Sequence, residues 1–254
     1  MDDGLAGVVL AAGAGTRLAP LSRFRPKALC PVGNRPLVGW ALERLAPHTS
    51  AQAVNLHHGA ELLDGWLDPR VHRSFEAPEP LGTAGALGLL RGWLDGRGAM
   101  VTNADAWHAE GLDLAAFVSG WDRERVRLLC VLAPGRGDFG DLRYCGVALL
   151  PAATIAELHP TPSGLYEVSW RQEQAAGRLD LVRSEVDFVD CGTPADYLAA
   201  NLAWSGGDSV VDPSAHLGAG AEVVRSVVWD GAAVAPGERL VDAVRTPEAT
   251  VLVR

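Results

Sequence analysis

The stretch VVLAAGAGTRLAPLSRFRPKALCPVGNRPL, residues 8–37, decides the fold. It opens as an apolar run typical of a buried strand, breaks into glycines, and then gathers positive charge. The five cations are Arg17, Arg23, Arg25, Lys27 and Arg35. No Asp or Glu lies between Gly4 and Leu42, although the chain has a formal net charge of -9 and Lys27 is its only lysine. A strand followed by small residues and cations is expected where backbone N–H groups and positive side chains meet phosphate.

Length and composition bound the class of protein. A chain of 254 residues with 48% hydrophobic and 21% charged residues predicts one large domain, or one domain with a small appendage. The acidic balance excludes a general nucleic-acid binder, which needs a basic face, but it allows a phosphorylated small molecule held by one basic patch. The four cysteines lack CxxC spacing and predict free thiols.

Two sequence features bear on where the protein is located. The chain begins Met-Asp-Asp, without the basic region of a signal peptide. No apolar run reaches the roughly 18 residues that a membrane span needs. We therefore expect a cytoplasmic protein without a membrane partner.

Strand-like and helical patterns alternate through the first half of the chain. Apolar runs predict strands at 7–13, 51–58, 71–77, 98–105 and 126–134, and helical spacing predicts helices at 35–47, 59–67, 82–94 and 113–124. This order predicts an α/β fold, with a Rossmann-like, mostly parallel sheet and helices on both faces.

The order changes after residue 143. We predict a strand at 143–151, a helix at 165–177, one or two strands within 179–190, and a helix at 193–204 that starts at a Thr cap. The first unit is therefore assigned to residues 1–207.

The tail, residues 208–254, has a different sequence pattern from the rest of the chain. Apolar residues recur every six positions with Gly, Ala and Pro between them, at Val211, Leu217, Val223, Trp229, Ala235 and Val241. A six-residue period favours a short β-helix over an α-helix. Accidental spacing in a loosely packed tail is the alternative. Because no phosphate or metal candidate lies in the tail, we expect it to serve assembly, with homo-oligomerisation possible.

The glycine loop fits neither common nucleotide motif. In AAGAGTRL, Leu18 stands where the third glycine of GxGxxG belongs, and GxxxxGK[ST] is absent. The loop alone is also compatible with an ordinary turn.

The order G-x-G-T-R-L-x-P, nine residues, then P-K-x-L-x-P-V resembles the signature of sugar-1-phosphate nucleotidyltransferases. The resemblance continues in EPLGTAGAL (79–87), VTNAD (101–105), CGVALLP (145–151) and FVDCGTPADYLAAN (188–201). These blocks cover roughly residues 5 to 203 and occur in the family's order. The six-residue pattern of the tail also resembles the left-handed β-helix appended to several members.

The resemblance implies transfer of a nucleotidyl group from an NTP to a sugar 1-phosphate, with release of pyrophosphate. It assigns Arg17 and Lys27 to the phosphates and the transition state, where positioning and charge dominate catalysis. It places a second set of residues around the base, ribose and phosphates. This set is Leu10, Ala11, Gly13, Gly15, Thr16, Gly82 and Thr83.

Two aspartates complete the predicted site. Asp105 and Asp190 each end an apolar strand, a position where ligands bind in open α/β sheets. Together with nucleotide phosphates they offer the oxygen ligands that Mg²⁺ prefers, and the resemblance implies Mg²⁺ as cofactor. Turn formation or helix capping is the structural alternative for both. The adjacent histidines His57 and His58 lack ligand-spaced partners and predict no metal site.

Acceptor recognition is less well defined. Gly146 and Glu167 match family positions that touch the sugar, but close packing and a solvated helix face explain them equally. The family often carries a lysine near this glutamate, whereas this chain has none there. Arg143, Arg171 or another arginine could replace it, or the acceptor could be a cyclitol 1-phosphate.

Several alternatives stay open at this point. EPLGTAGAL most resembles mannose-1-phosphate guanylyltransferases, so we expect GTP as the nucleotide. UTP is the alternative, because the start of the chain also suits uridylyltransferases and GRGDF (135–139) resembles a segment of muramic-acid 1-phosphate uridylyltransferases. A silent nucleotide-sugar-binding regulatory subunit would have lost phosphate or metal residues. A glycosyltransferase would carry a DxD-like motif, and the NAD triplet at 103–105 is not one.

Overall fold

The computed structural model describes residues 4–253. Its helices are α1 (Leu21–Phe24), α2 (Leu37–Leu45), α3 (Ala60–Trp66), α4 (Gly82–Leu94), α5 (Leu114–Ser119), α6 (Ala152–Ala156), α7 (Arg171–Ala175) and α8 (Pro194–Trp204). The strands before residue 205 are β1 (Ala6–Leu10), β2 (Pro31–Val32), β3 (Arg35–Pro36), β4 (Ala51–Leu56), β5 (His72–Phe75), β6 (Ala99–Asn103), β7 (Ala106–His108), β8 (Arg127–Leu132), β9 (Leu142–Leu150), β10 (Asp180–Ser184) and β11 (Phe188–Asp190).

A seven-stranded sheet forms the centre, in the order β10-β8-β9-β6-β1-β4-β5. Strand β1 lies between β4 and β6 and is parallel to both. Strand β9 is antiparallel to β6 and β8, while the remaining neighbours pair in parallel. The predicted α/β class and mostly parallel sheet are therefore confirmed.

Helices cover both faces of this sheet, as predicted. Along β1, Val8 and Val9 point to opposite faces and enter different apolar clusters. Helices α2, α3 and α5 supply the cluster around Val9, and helices α4 and α6 supply the one around Val8. Burial on both faces explains why β1 reads as a continuous apolar run.

The cationic stretch after β1 folds into pieces too short for a periodic pattern. A turn of 3₁₀ helix at Thr16–Leu18, helix α1 and a second 3₁₀ turn at Lys27–Leu29 lead into the β2–β3 hairpin. Gly15 has φ of +61°, and a Cβ there would lie 3.0 Å from the Cβ of Lys27. The glycine therefore lets the loop close directly over the only lysine.

Two predicted helices are wrong in extent or type. The helix predicted at 113–124 ends at Ser119, because Gly120 follows as its C-cap. The helix predicted at 165–177 begins as a wide π-helical turn, Tyr166–Trp170, before continuing as α7.

The tail contains eight short strands. They are β12 (Val210–Val211), β13 (His216–Leu217), β14 (Glu222–Val224), β15 (Val227–Val228), β16 (Ala233–Val234), β17 (Arg239–Val241), β18 (Ala243–Arg245) and β19 (Thr250–Leu252). The pairs β12–β15, β13–β16 and β14–β17 are parallel, and partners are 17 residues apart along the chain.

This 17-residue offset corrects the predicted apolar row. Val211, Leu217 and Val223 pair with Val228, Val234 and Leu240, which are buried. The second half of the row is therefore displaced by one residue from the predicted Trp229, Ala235 and Val241. Trp229 is buried as well, but against the first unit, whereas Ala235 is exposed.

The tail packs on the first unit through Trp229. Its indole Nε1 donates to the hydroxyl of Tyr197 on α8 (2.9 Å), and its ring lies under the guanidinium of Arg25, 4.6 Å away. The same guanidinium donates to both oxygens of Asp230 at 2.7 and 3.0 Å. Within residues 4–253, no helix is both long and apolar enough to cross a membrane.

Candidate active site

A cavity of about 260 Å³ opens where β1, β4 and β6 end. It lies at the carboxyl edge of parallel strands, where ligands bind in open α/β sheets. The predicted residues that line it are Leu10, Ala11, Gly13, Lys27, Gly82, Thr83 and Asp105. Seven predicted residues from four separate segments of the chain thus meet in one place.

A buried hydrogen-bond chain fixes the walls of this first cavity. The backbone N–H of Ala11 donates to Asn55 Oδ1 (2.6 Å), and Asn55 Nδ2 donates to Glu76 Oε1 (2.7 Å). Glu76 Oε2 accepts from the backbone N–H of Leu81 (2.7 Å). Since Asn55 and Glu76 are 3% and 4% exposed, these bonds tie the glycine loop rigidly to the segment carrying Gly82.

Gly82 and Thr83 also anchor the far side of the cavity. Gly82 has φ of +68°, and a Cβ there would lie 2.5 Å from the carbonyl oxygen of Ser163. The hydroxyl of Thr83 accepts from the backbone N–H of Leu165 (2.8 Å). Both residues therefore hold the 163–165 segment as well as lining the cavity.

A second cavity of about 300 Å³ adjoins the first through Asn103 and Asp105, which line both. Its charged lining residues are Arg17, Asp105, Asp138, Arg143 and Asp190. Gly146 also lines it, with φ of +86°, and a Cβ there would lie 2.4 Å from the Cβ of Ala106. Position 146 thus requires glycine, because a side chain there would collide with Ala106, the residue that follows Asp105.

The two aspartates meet through a ribbon that the sequence did not predict. Asp105 lies in the turn between β6 and β7, just beyond the strand end that we expected it to occupy. Asp190 ends β11, which pairs antiparallel with β7 outside the central sheet and sets Asp190 opposite Ala106. The β7–β11 pair therefore brings the two carboxylates to one place.

Lys27 lies between these carboxylates. Its ammonium forms a short ion pair with Asp105 Oδ2 and is 3.9 Å from Asp190 Oδ1. Its side chain is only 12% exposed. Lys27 is therefore not a solvated surface lysine.

Asp190 is surrounded by mixed charges. Arg17 and Arg143 approach its Oδ2 at 3.8 and 3.7 Å, distances too long for close ion pairs. Burial, followed by the charge of Asp105, raises the pKa of the Asp190 carboxyl despite the neighbouring cations. The neighbouring cations therefore do not offset the cost of burying this carboxylate beside Asp105.

Three predicted residues lie outside both cavities. Gly15 packs on Lys27, and Thr16 begins the 3₁₀ turn that carries Arg17. Glu167 is exposed in the π-helical turn, with its carboxylate lying over Gly164. The structure therefore gives Gly15 and Thr16 a supporting position and leaves Glu167 away from the cavity lining.

Sequence reasoning missed several polar residues of the site. Asn55, Asn103 and Asp138 line the cavities, and Glu76 supports them. Asn55 gave a usable signal, because a polar amide inside the apolar strand β4 needs a buried partner. Arg143 was only one of two suggested arginines, but it lines the second cavity, whereas the exposed Arg171 lines neither.

The donor set suits a divalent cation only in part. Asp105 and Asp190 supply hard oxygen ligands, but within residues 4–253 no group of three His, Cys, Asp or Glu side chains could hold a metal. Ligands from a bound phosphate would have to complete the coordination of Mg²⁺. His57 instead contacts the carbonyl oxygen of Glu76 through Nδ1 (2.9 Å), and all four cysteines are buried free thiols.

Comparisons with known proteins identify relatives. Residues 7–185 match the MobA-like NTP transferase domain family. The chain is 31% identical over 229 residues to an N-acetylmuramate alpha-1-phosphate uridylyltransferase of Caulobacter vibrioides, covering 76% of this chain and 94% of the relative. It is 24% identical over 224 residues to a mannose-1-phosphate guanylyltransferase catalytic subunit beta of Dictyostelium discoideum, covering 76% and 62% of the two chains.

The fold is shared with a solved structure. The protein from Thermus thermophilus described as a mannose-1-phosphate geranyltransferase superposes with a TM-score of 0.73 at 19% identity, over 98% of this chain and 94% of that one. The resemblance stated from the motifs is thus confirmed by independent matches in sequence and fold. The chain belongs to the MobA-like NTP transferase domain family and is a sugar-1-phosphate nucleotidyltransferase by its similarity to these relatives.

Proposed function

We propose that the protein transfers a nucleotidyl group from an NTP to a sugar 1-phosphate. The observation that carries the proposal is the junction of the two cavities at Asn103 and Asp105, with Lys27 beside it. A nucleotide in the first cavity and an acceptor phosphate in the second would meet at this junction. Two cations of the basic stretch, Arg17 and Lys27, line these cavities, which supports phosphate binding there.

The chemistry needs little covalent help from the protein. An oxygen of the acceptor phosphate forms a bond to the α-phosphorus, and the bond from that phosphorus to the oxygen bridging to the β-phosphorus breaks. Pyrophosphate leaves with the electron pair, and no proton needs to be removed from the phosphate nucleophile. Positioning and charge stabilisation therefore account for most of the catalysis.

Each part of the site has a role in this reaction. The backbone of the glycine loop, held by Asn55, would pack against the nucleotide. Lys27 and Arg17 would stabilise charge on the transferred phosphate. Arg143 would hold the acceptor phosphate, because it lines the second cavity and its guanidinium only loosely contacts Asp190. Gly146 would leave room for the sugar ring.

Mg²⁺ is proposed as the cofactor, held by Asp105 and Asp190 together with the phosphates. When bound, it would neutralise charge on the phosphates. The two carboxylates fit this role because they lie close together at the junction and are partly exposed, at 31% and 30% of their side chains.

The nucleotide base is proposed from the relatives. The uridylyltransferase from Caulobacter vibrioides matches with the higher identity and over most of its own length, which supports UTP. GTP is retained as the second candidate because EPLGTAGAL resembles guanylyltransferases and the Dictyostelium discoideum relative is one. The acceptor is a sugar 1-phosphate, or a cyclitol 1-phosphate with the same phosphate chemistry.

We further propose two units, 1–207 and 208–254, with the second a short left-handed β-helix. The three parallel strand pairs of the tail, all with the same 17-residue offset, support a coiled path with three sides.

A panel assay tests the proposal. Purified protein with Mg²⁺ is offered five NTPs in turn, each with several sugar 1-phosphates, and pyrophosphate release is measured. We expect release with one NTP and one acceptor class, and a marked loss in the Arg143→Met variant through a higher KM for the acceptor. Release of pyrophosphate without any acceptor, or none with any pair, would contradict the proposed transfer.

A further inference from the structure

We propose that Lys27 acts as a built-in cation in the nucleotide-free site, so that a divalent metal enters only together with the nucleotide. The proposal rests on the proposed function, because it concerns the same two carboxylates. Its evidence is the position of one ammonium group between two carboxylates.

The first step is geometric. The Lys27 ammonium contacts Asp105 Oδ2 directly and lies 3.9 Å from Asp190 Oδ1. It therefore occupies the space between the two oxygens that a bridging cation would need. The loop passes close to the stem of this lysine, since a Cβ at Gly15 would lie 3.0 Å from the Cβ of Lys27.

The second step concerns the number of ligands. Among the described residues, no third His, Cys, Asp or Glu side chain joins the two aspartates to form a metal group. A cation that displaced Lys27 would gain two carboxylates at most and would leave an ammonium group without a partner at 12% exposure. With protein oxygens alone, a divalent metal thus gains too few ligands to offset the displacement of Lys27.

The third step concerns net charge. The walls of the two cavities carry three cations, Arg17, Lys27 and Arg143, and three carboxylates, Asp105, Asp138 and Asp190. A free divalent cation therefore meets a lining that is already neutral, whereas a nucleotide triphosphate with its metal carries net negative charge. Phosphate oxygens would attract Lys27 away from Asp105 and release both carboxylates at the moment the metal arrives.

Direct binding of Mn²⁺ to the nucleotide-free protein tests the proposal without relying on activity. Protein stripped of metal is titrated with Mn²⁺, and the free ion is followed by its electron paramagnetic resonance signal. We expect Lys27→Met to bind Mn²⁺ at least tenfold more tightly than the wild type. Lys27→Gln, with a different uncharged side chain, should show the same gain.

Two control variants locate the effect. Arg23→Met removes a cation from the same stretch, but Arg23 is exposed and lines neither cavity, so its Mn²⁺ affinity should equal that of the wild type. The double variant Lys27→Met with Asp105→Asn should lose the gained affinity. Circular dichroism melting confirms that each variant is folded.

The outcomes separate this inference from the proposed function. If the lysine variants bind Mn²⁺ no better than the wild type, or if the gain survives Asp105→Asn, the inference is wrong even when the panel assay shows pyrophosphate release. Adding a non-hydrolysable UTP analogue should raise the wild-type Mn²⁺ affinity to that of Lys27→Met, once the Mn²⁺ bound by the analogue alone, measured without protein, has been subtracted. A wild-type affinity that the analogue leaves unchanged would also overturn it.

Discussion

Lys27 is the residue at which the charges of the site converge. Its ammonium lies against one aspartate and near the other, while Arg17 and Arg143 both approach Oδ2 of the second aspartate. The chain's single lysine therefore places a compact ammonium group where, in the proposed reaction, it pairs first with carboxylates and then with phosphates. Arginine, with its rigid fork, suits this changing role less well.

Replacing Lys27 by Met should lower turnover by about two to four decades while the protein stays folded. Loss of one preorganised charge from a phosphoryl transition state corresponds to about 3 to 5 kcal/mol. Initial rates of pyrophosphate release, compared with those of Arg23→Met, measure the effect. Activity of the Lys27 variant within threefold of the wild type would contradict the role proposed for this residue.

Asp190 offers a pH-dependent test. Its pKa is raised by burial and by Asp105, so the folded state favours the neutral carboxyl. Asp190 therefore contributes stability that is fully present below its unfolded pKa and is lost as the pH rises through its folded pKa. Asp190→Asn should melt at an equal or higher temperature than the wild type in metal-free buffer, with a difference that grows from pH 4 to pH 7, while activity falls at least tenfold.

The expected pattern differs from that of a purely structural aspartate. A structural role would lower the melting temperature of Asp190→Asn at neutral pH and leave activity per folded molecule unchanged. Melting curves at several pH values, together with initial rates, distinguish the two.

Site residues that lie in a local sequence motif with other site residues could be predicted from the sequence. Lys27, Gly13 and Gly82 lie in local motifs, and the cavity contains all three. Glu76 could not be found in this way, because its partners Asn55 and Leu81 come from separate segments. Nothing near Glu76 in the sequence indicates that its carboxylate is buried.

At the scale of elements, strand β9 and the β7–β11 pair shape the acceptor side of the site. Gly146 interrupts β9 with φ of +86°, directly over Ala106 at the start of β7. Because Ala106 follows Asp105, any atom added at Gly146 would push on the turn that holds the aspartate.

Gly146→Ala should therefore reduce kcat/KM for the acceptor by at least tenfold. A Cβ would lie 2.4 Å from the Cβ of Ala106, a contact that forces β7 to shift. Gly177→Ala is the matched control, since Gly177 has a similar φ of +67° but no atom within 4 Å of the added Cβ. Both variants place an alanine at a positive φ, so equal activities would show that the contact with Ala106 does not matter.

Local periodicity predicted the β1, β4, β6 and β8 strands because they are largely buried in one sheet. It also predicted β5, although that strand lies at the edge of the sheet and is mostly exposed. It could not give the antiparallel insertion of β9 or the separate β7–β11 ribbon, since pairing partners are distant in sequence. In the tail, the six-residue pattern located Val211 and Val223, which pack against the tail's apolar cluster, whereas Leu217 in the same row is exposed. The 17-residue offset, one residue short of three such periods, is visible only from the strand pairing.

At the scale of the whole molecule, the tail and the cationic stretch share one interface. Arg25, two residues before Lys27, is held by Asp230 and by the ring of Trp229. Trp229 in turn donates to Tyr197, whose hydroxyl donates to the carbonyl oxygen of Pro31 in β2. The tail thus contacts both ends of the segment that carries Lys27, which a role in assembly alone does not require.

We therefore expect Asp230→Asn to lower kcat/KM for the nucleotide by roughly three- to tenfold, by loosening Arg25 and with it the Lys27 loop. A bidentate pair of this kind is worth up to about 1 kcal/mol, so the melting temperature should fall by only about 2–4 °C. Asp242→Asn is the matched control, because Asp242 pairs with Arg225 inside the tail and does not reach the first unit. Asp230→Glu should restore most of the lost activity. If both Asn variants keep wild-type rates below their melting temperatures, the tail serves assembly alone, as its sequence first indicated.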